Sequence, residues 1–525
     1  MGLSTIMHLM MLLLLRTSCF AFASLNDPLI TSLISGATRS TLMSGTSRNT
    51  EKTSTFNSTG LSATLDSSQG NDHTDISAGK RPLRILFLSS DTGGGHRASA
   101  EALAKQFQIQ FPGSTYDLLD VWTLDGVYPY KTLVKSYKHL SAHPFQWRFF
   151  YHISNAFPNG RIANIHSGIM CAKKIRKRIA GYDPDVVVSV HPAMNNAPRI
   201  ATRKLGEMHG KHIPFFTVVT DLGSGHSHWF EKKVEKLYVA SERIRKLARR
   251  RAGTPSNNIV MSGLPIRQEF AVQSEKLGDR TTEIGKLYQK EIREKLGIST
   301  NKQMVLLMGG GEGVGSLAHI ANELYMKLVE NGVDATVCVV CGRNEKLRNE
   351  LRDRDWENLT ASKPKGNSRR LSFSRKVSPT VKDPPLKGDV EVVGLGYIDE
   401  MADYMVAADV LVTKAGPGTL AEAAAVGLPV MMTSFLPGQE AGNVEVVLDA
   451  GFGEYCKQPE KIGQTVANWL KNEELLCSMS KSATKAGHPH AAAEIAVDIG
   501  EITQKWLETN LKANGGARKS IAADC

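Results

Sequence analysis

Cysteine is scarce in this chain, seven in 525 residues, and the seven are scattered. That excludes a disulfide scaffold. Cys338 and Cys341 have CxxC spacing inside the apolar run Val337–Cys341, but no second pair follows at zinc-finger spacing, so both read as buried strand residues. Long apolar runs are also missing. Beyond a short one near the amino terminus, no stretch reaches the ~18 residues a transmembrane helix needs, so the mature chain is not expected to span a bilayer. The 46 glycines follow no G-X-Y period, which excludes collagen and points to glycine-rich loops. With 41% hydrophobic and 22% charged residues, a wholly disordered chain is excluded too. The length allows roughly two to four domains.

What is present is a formal charge of +12, unevenly spread. Lys363–Lys387 holds eight Lys/Arg against one acid, Asp383, a net +7 in a Ser/Pro-rich stretch that reads as a disordered insert. Lys173–Arg178 and Arg243–Arg251 are basic runs of helical pattern with exposed cations. Nucleic acid and an anionic lipid surface both suit such charge, and no zinc-finger, basic-zipper or RNA-recognition signature accompanies it.

At the amino terminus, Ile6–Leu15 matches the apolar core of a signal peptide, with Ala21 at a plausible cleavage point. Residues 22–80 are Ser/Thr-rich and without apolar periodicity, as in a transit segment. The Phe20-Ala21-Phe22-Ala23-Ser24 junction resembles the bipartite presequence of plastids of secondary origin; the alternative is a plain secretory signal.

Folded sequence is expected from Arg81. The apolar run Leu83–Ser89 ends in Asp91-Thr92-Gly93-Gly94-Gly95-His96, and helical pattern follows over Arg97–Phe111. Strand, glycine loop and helix open a doubly wound α/β domain. Further buried strands are predicted at Val186–His191, Pro214–Asp221, Lys236–Ala240 and Asn258–Gly263. The pattern restarts at Met304: Val305–Met308 runs into Gly309–Ser316, then a helix over Leu317–Glu330. Strands at Ala335–Cys341, Val390–Gly394, Asp409–Thr413 and Leu428–Thr433 follow. This predicts two Rossmann-like doubly wound domains, 81–290 and 291–512, facing a central cleft, with a tail at 513–525.

Neither glycine loop ends in GK[ST], which excludes a Walker A motif, and Gly309–Ser316 does not fit a dinucleotide fingerprint. A glycine loop feeding a helix still cradles a diphosphate, because free amides and the helix dipole face the anion. Gly416–Glu422 places Glu422 about one turn into a helix, where a carboxylate can accept from a ribose diol, with Gly418 and Thr419 beside it. Gln439, Glu440 and Asn443, in Gly438–Asn443, suit the hydroxyls of a sugar. His96, at a helix start, is expected to stay neutral and to act as a base near pH 7. Asp221 is a second candidate base or base-orienter. His226 and His228 lack a third metal ligand at recognised spacing.

Taken together, Asp91–Ala100, Leu222–Trp229, Gly263–Arg267, Gly309–Gly315 and Gly416–Asn443 resemble the monogalactosyldiacylglycerol synthases of glycosyltransferase family 28, over about Arg81 to Trp506. The Asp409–Asn443 part is similar, more loosely, to the glycosyltransferase that makes the lipid-linked peptidoglycan precursor. The resemblance implies a GT-B fold and an inverting transfer of galactose from UDP-galactose to diacylglycerol, without a metal or cofactor. Carried over, it makes His96 and Asp221 the catalytic candidates. Arg267 and Gly309, Gly310, Gly311 and Gly313 would hold the diphosphate, Glu422 the ribose, and Gln439, Glu440 and Asn443 the galactose, with Gly438 also in the donor site. Pro129, Tyr130, Trp147 and Trp229 are assigned to the acceptor lipid.

Tyr128–Phe157 holds nine aromatics in 30 residues, against 7% in the chain, with Lys131, Lys135, Lys138 and Arg148 among them. Such a mixture suits a peripheral site on an anionic membrane; a packing face between domains is the alternative. The expectation is a plastid-envelope peripheral enzyme that binds no nucleic acid, with a homodimer left open. The rivals are another UDP-sugar lipid transferase, a UDP-sugar 2-epimerase and a nucleic-acid binder.

Overall fold

A computed structural model describes residues 80–90, 92–155, 159–309, 317–361 and 387–523. The presequence and nearly all of the basic insert lie outside the described residues, as do Gly310, Gly311 and Gly313.

The first half is a parallel six-stranded sheet of β1 (Arg84–Leu88), β2 (Thr115–Leu119), β3 (Val186–Ser189), β4 (Phe215–Val218), β5 (Leu237–Val239) and β6 (Ile259–Met261), in the order β2-β1-β3-β4-β5-β6. The second holds β7 (Gln303–Met308), β8 (Ala335–Val340), β9 (Val390–Leu395), β10 (Val410–Thr413), β11 (Val430–Met432) and β12 (Gly453–Tyr455), in the order β12-β11-β10-β7-β8-β9. Every pair is parallel; Phe87 of β1, for instance, stands opposite Leu118 and Val188. Continuous apolar strands such as Val186–Ser189 are buried on both faces, so helices must cover both sides of each sheet. This is the expected GT-B architecture. In each sheet the strand order reverses once, between β1 and β3 and between β7 and β10, and the carboxyl ends at those points are where α/β proteins bind ligands.

Helices α1 (Gly94–Gln110), α2 (Leu133–Ser141) and α3 (Pro144–Asn155) belong to the first half. Between the halves, α4 (Gln268–Leu277) and α5 (Glu283–Lys295) pack on α6 (Met401–Ala407). Arg280 lies buried among main-chain oxygens, donating to Met405, Ala408 and Val426, and burial draws its pKa down to about 10. Arg293 donates to Ala407 O and Asp409, which ties the connecting segment to the second half.

In the second half, α7 (Pro417–Ala425) follows β10 and α8 (Ala441–Ala450) follows β11. The last helix, α9 (Ala491–Ala523), crosses back to the first half and continues through the residues read as a tail. Ala492, Ile495, Ala496 and Ile499, at helical spacing, enter the core that holds Phe87, Phe107 and Phe111. Asp498 accepts from Lys236 Nζ at 2.8 Å and Tyr238 Oη at 2.7 Å, fastening the helix to β5.

Gly500 sits where α9 meets α1: a Cβ there would lie 2.1 Å from Phe111 Cζ. Alanine gains about 1 kcal/mol in helix propensity over glycine, but overpacking costs about 1–3 kcal/mol. At so short a distance the packing cost prevails. Gly500→Ala should lower the urea midpoint with an unchanged m-value; a raised midpoint would contradict this packing.

Candidate active site

The first half contributes three strand ends. After β1 the chain turns at Gly93, whose φ of 127° suits glycine, into α1, so that His96 falls in the first turn. His96 is half-buried, and its Nδ1 lies 2.7 Å from Thr220 Oγ1 just past β4. Its ring meets His191, past β3, edge-on at 4.7 Å between centroids. Burial lowers the His96 pKa to about 4, and the amino end of α1 works in the same direction. His191 is buried, and its Nδ1 accepts from the Ala193 amide. Its Nε2–H is therefore left to donate to Thr92 Oγ1 at 2.9 Å. Burial first, then the neighbouring histidines, holds His191 well below the ordinary range.

Asp221 follows Thr220 and turns elsewhere: its Oδ2 accepts from Trp229 Nε1 at 2.8 Å, with both residues buried. Burial pushes the Asp221 pKa up to about 7; the Trp229 bond opposes the shift and the charge of Glu440 adds to it. Trp229, fully buried, stands 6.0 Å from His96 between ring centroids. His226 is held neutral by burial; its Nδ1 accepts from the His228 amide, so its Nε2–H donates to Ser154 Oγ of α3 at 3.1 Å. Asn155 Oδ1 accepts from the Ser227 amide, so the aromatic helix is stitched to the loop after β4.

The second half, with Arg267 of the connecting segment, supplies the charges. Arg267 Nε donates to Glu422 Oε1 at 3.0 Å, leaving the terminal guanidinium nitrogens outside that bond. Burial raises the Glu422 pKa, and Arg267 opposes it. Glu440 is buried, with one oxygen on Lys414 Nζ at 2.6 Å and the other on the Leu436 amide at 2.8 Å. Gln439 is half-buried at the mouth of the loop, Gly418 opens on free space beside Thr419 in the first turn of α7, and Gly309 closes β7.

The halves meet at glycine. A Cβ on Gly223 would lie 1.8 Å from Gly442 O. Gly223 N–H donates to Asn443 Oδ1 at 2.9 Å, Asn443 Nδ2 donates to Ala415 O, and the Gly442 amide donates to Ser224 Oγ at 2.8 Å. Asn443 is 0% exposed. Its amide therefore joins the halves, where the sequence reading had assigned it to sugar hydroxyls. Tyr151 of α3 lies against Gly438, where a Cβ would come within 2.7 Å of Cδ1.

The residues assigned to the lipid divide. Trp147 and Trp229 are buried, the first against Tyr137 and Tyr151. Tyr130 stacks on Trp122, and Pro129 beside it is half-buried. Tyr128, Phe145, Phe149 and Phe150 are exposed, Phe145 by 82%. The aromatic segment is thus both a packing face and a surface. Thr220, His191 and Lys414 were missed, and Tyr151 was counted only among the aromatics of Tyr128–Phe157. Lys414 was legible as the one cation beside Gly416; the others acquire meaning only through contacts distant in sequence. Among the described residues no cluster of three or more His, Cys, Asp or Glu is placed to hold a metal.

Because the folded-state pKa of Asp221 lies above its free value of 3.8, ionising it disfavours the fold. The native state therefore loses stability as pH rises from about 4 through 7. Asp221→Asn still accepts from Trp229 and cannot ionise. Its melting temperature relative to the parent should climb between pH 5 and pH 8; a difference independent of pH would contradict the burial.

A family model for monogalactosyldiacylglycerol synthase matches residues 96–266, and one for the glycosyltransferase family 28 C-terminal domain matches residues 304–495. Monogalactosyldiacylglycerol synthase 1, chloroplastic, of Arabidopsis thaliana is 34% identical over 433 residues, covering 81% of this chain and 72% of its own. The chloroplastic synthase of Spinacia oleracea is 34% identical, with 81% and 74% covered. Among solved structures, MurG of Acinetobacter baumannii aligns with 80% of this chain and 100% of its own, at 16% identity and a TM-score of 0.49. On the first two relatives and the two matched models, the chain belongs to the monogalactosyldiacylglycerol synthase family.

Proposed function

We propose that this protein moves galactose from UDP-galactose to 1,2-diacylglycerol, with inversion, giving β-monogalactosyldiacylglycerol. The observation that carries the reading is the meeting of the loop after β4, whose Thr220 holds His96, with the Gly438–Asn443 loop across Gly223 and Gly442, in a chain of this family. The acceptor hydroxyl oxygen attacks the anomeric carbon while His96 Nε2 takes its proton. The bond from that carbon to the diphosphate oxygen breaks, and its electron pair leaves with UDP.

The departing diphosphate needs cations and amides aimed at it. Arg267, with its terminal nitrogens outside the Glu422 bond, Lys414 and the amides at Gly309 and the start of α7 supply them. Glu422 receives the ribose and Gln439 the sugar. These groups provide the neutralisation without a metal or further cofactor. The exposed Tyr128, Phe145, Phe149 and Phe150, with Lys131, Lys135 and Arg148 also exposed, support docking on an anionic membrane surface. Among the described residues no helix is long and apolar enough to cross a membrane. The chloroplastic naming of both relatives supports a plastid envelope location.

The test combines the full chain with diacylglycerol micelles and either UDP-galactose or UDP-glucose, in chelator, following UDP release and the anomeric form of the lipid. The expected product is a β-galactosyl lipid from UDP-galactose, with His96→Ala slower by about 100- to 10,000-fold. An α-linked product, a preference for UDP-glucose, or an active His96→Ala variant would overturn the reading.

A further inference from the structure

A general base works only if the right nitrogen carries the lone pair, and histidine bases are commonly held in that tautomer by a partner on the other ring nitrogen. In the sequence the obvious partner was Asp221, the one acid at the end of β4. The structure spends that carboxylate on Trp229 and turns the preceding residue toward His96. Consecutive residues of an extended chain point to opposite sides, so one strand end cannot present both side chains to the same ring.

Thr220 is buried, and its Oγ1 lies 2.7 Å from His96 Nδ1 and 3.4 Å from Val190 O. A carbonyl only accepts, so the threonine hydrogen turns to Val190 and the hydroxyl oxygen accepts from the ring. The Val190 carbonyl is itself a hydrogen-bond partner of the His96 ring. The relay Nδ1–H to Oγ1–H to Val190 O leaves Nε2 bare, and among the described residues no hydrogen bond ends on Nε2.

We infer that Thr220 is the positioning residue of this site, fixing His96 as the Nδ1–H tautomer and aiming Nε2 into the cleft. The inference rests on His96 being the base. A hydroxyl orients the ring as an acid would but adds no negative charge, so it leaves the imidazolium unstabilised and the resting histidine neutral. The other titratable groups around the ring keep to the same pattern. His191 is fixed neutral by Ala193 and Thr92, Asp221 faces Trp229, and Arg97 and Glu101 pair with each other on the exposed side of α1.

The test compares Thr220→Val, which keeps shape and loses the hydroxyl, with Thr220→Ser, which keeps the hydroxyl, and with His96→Ala. Thr220→Val should lower kcat by about 10- to 100-fold with the KM for UDP-galactose within about twofold, and Thr220→Ser should restore most of kcat. Histidine-ring 15N spectra of the whole protein, with the His96 signal identified by its loss in His96→Ala, should show Nδ1–H in the parent and the serine variant, and a tautomer mixture in the valine variant. Equal losses in both variants, or an unchanged tautomer and kcat in Thr220→Val, would overturn the role of Thr220. Full activity in His96→Ala would instead remove the base on which it acts.

Discussion

The contact between Gly223 and Gly442 is the constraint on which the site depends. The two sheets fold around separate cores, and each ends its strands in groups that do nothing alone. Only where the backbones touch does the loop after β4, carrying Asp221 and Trp229, come beside the loop that carries Gln439 and Glu440. Any side chain at either glycine would hold the loops apart. The hydrogen bonds at the junction, from Gly223 to Asn443 and from Gly442 to Ser224, add about 1 kcal/mol each. That is enough to set the register of closure and too little to prevent opening, which suits a cleft that must admit and release its ligands.

Charge is distributed unequally across this junction. On the first-half side, burial keeps His96, His191 and His226 uncharged and raises Asp221 toward neutrality. On the second-half side, Arg267 pairs with Glu422 and Lys414 with Glu440. A neutral lipid hydroxyl and an anionic sugar nucleotide call for such a division: proton transfer favours a base that rests uncharged, and a diphosphate favours cations that exchange one anionic partner for another. Tyr151 joins the two, lying on Gly438 while its helix exposes Phe145, Phe149 and Phe150 on the outside.

Much of this was legible in the sequence because buried parallel strands are continuous apolar runs and glycine loops mark their ends. The helix Leu317–Glu330 was read to its exact limits. The strands β2 and β12 were missed because neither is a continuous apolar run: Thr115–Leu119 opens on three exposed residues, Thr115, Tyr116 and Asp117, and Gly453–Tyr455 reads Gly-Glu-Tyr. The apolar spacing of α9 said that it is buried but could not say against which half. Among the site residues, charge drew attention to Asp221 over its neighbour Thr220, whose partner lies 124 positions away. Asn443 was recognised as a polar residue at a strand–helix junction, yet its partner across the cleft was invisible until the halves were brought together.

The closed junction is therefore the claim to test most directly. A Cβ on Gly442 would lie 2.3 Å from the Gly223 carbonyl group, so Gly442→Ala should keep each half folded while forcing the halves apart. Small-angle scattering together with turnover of UDP-galactose would read both consequences in one preparation. The expected result is an unchanged circular dichroism spectrum, a larger radius of gyration and transfer reduced by about 100-fold or more, as befits lost positioning. Parent-like scattering and parent-like transfer with alanine in place would contradict it.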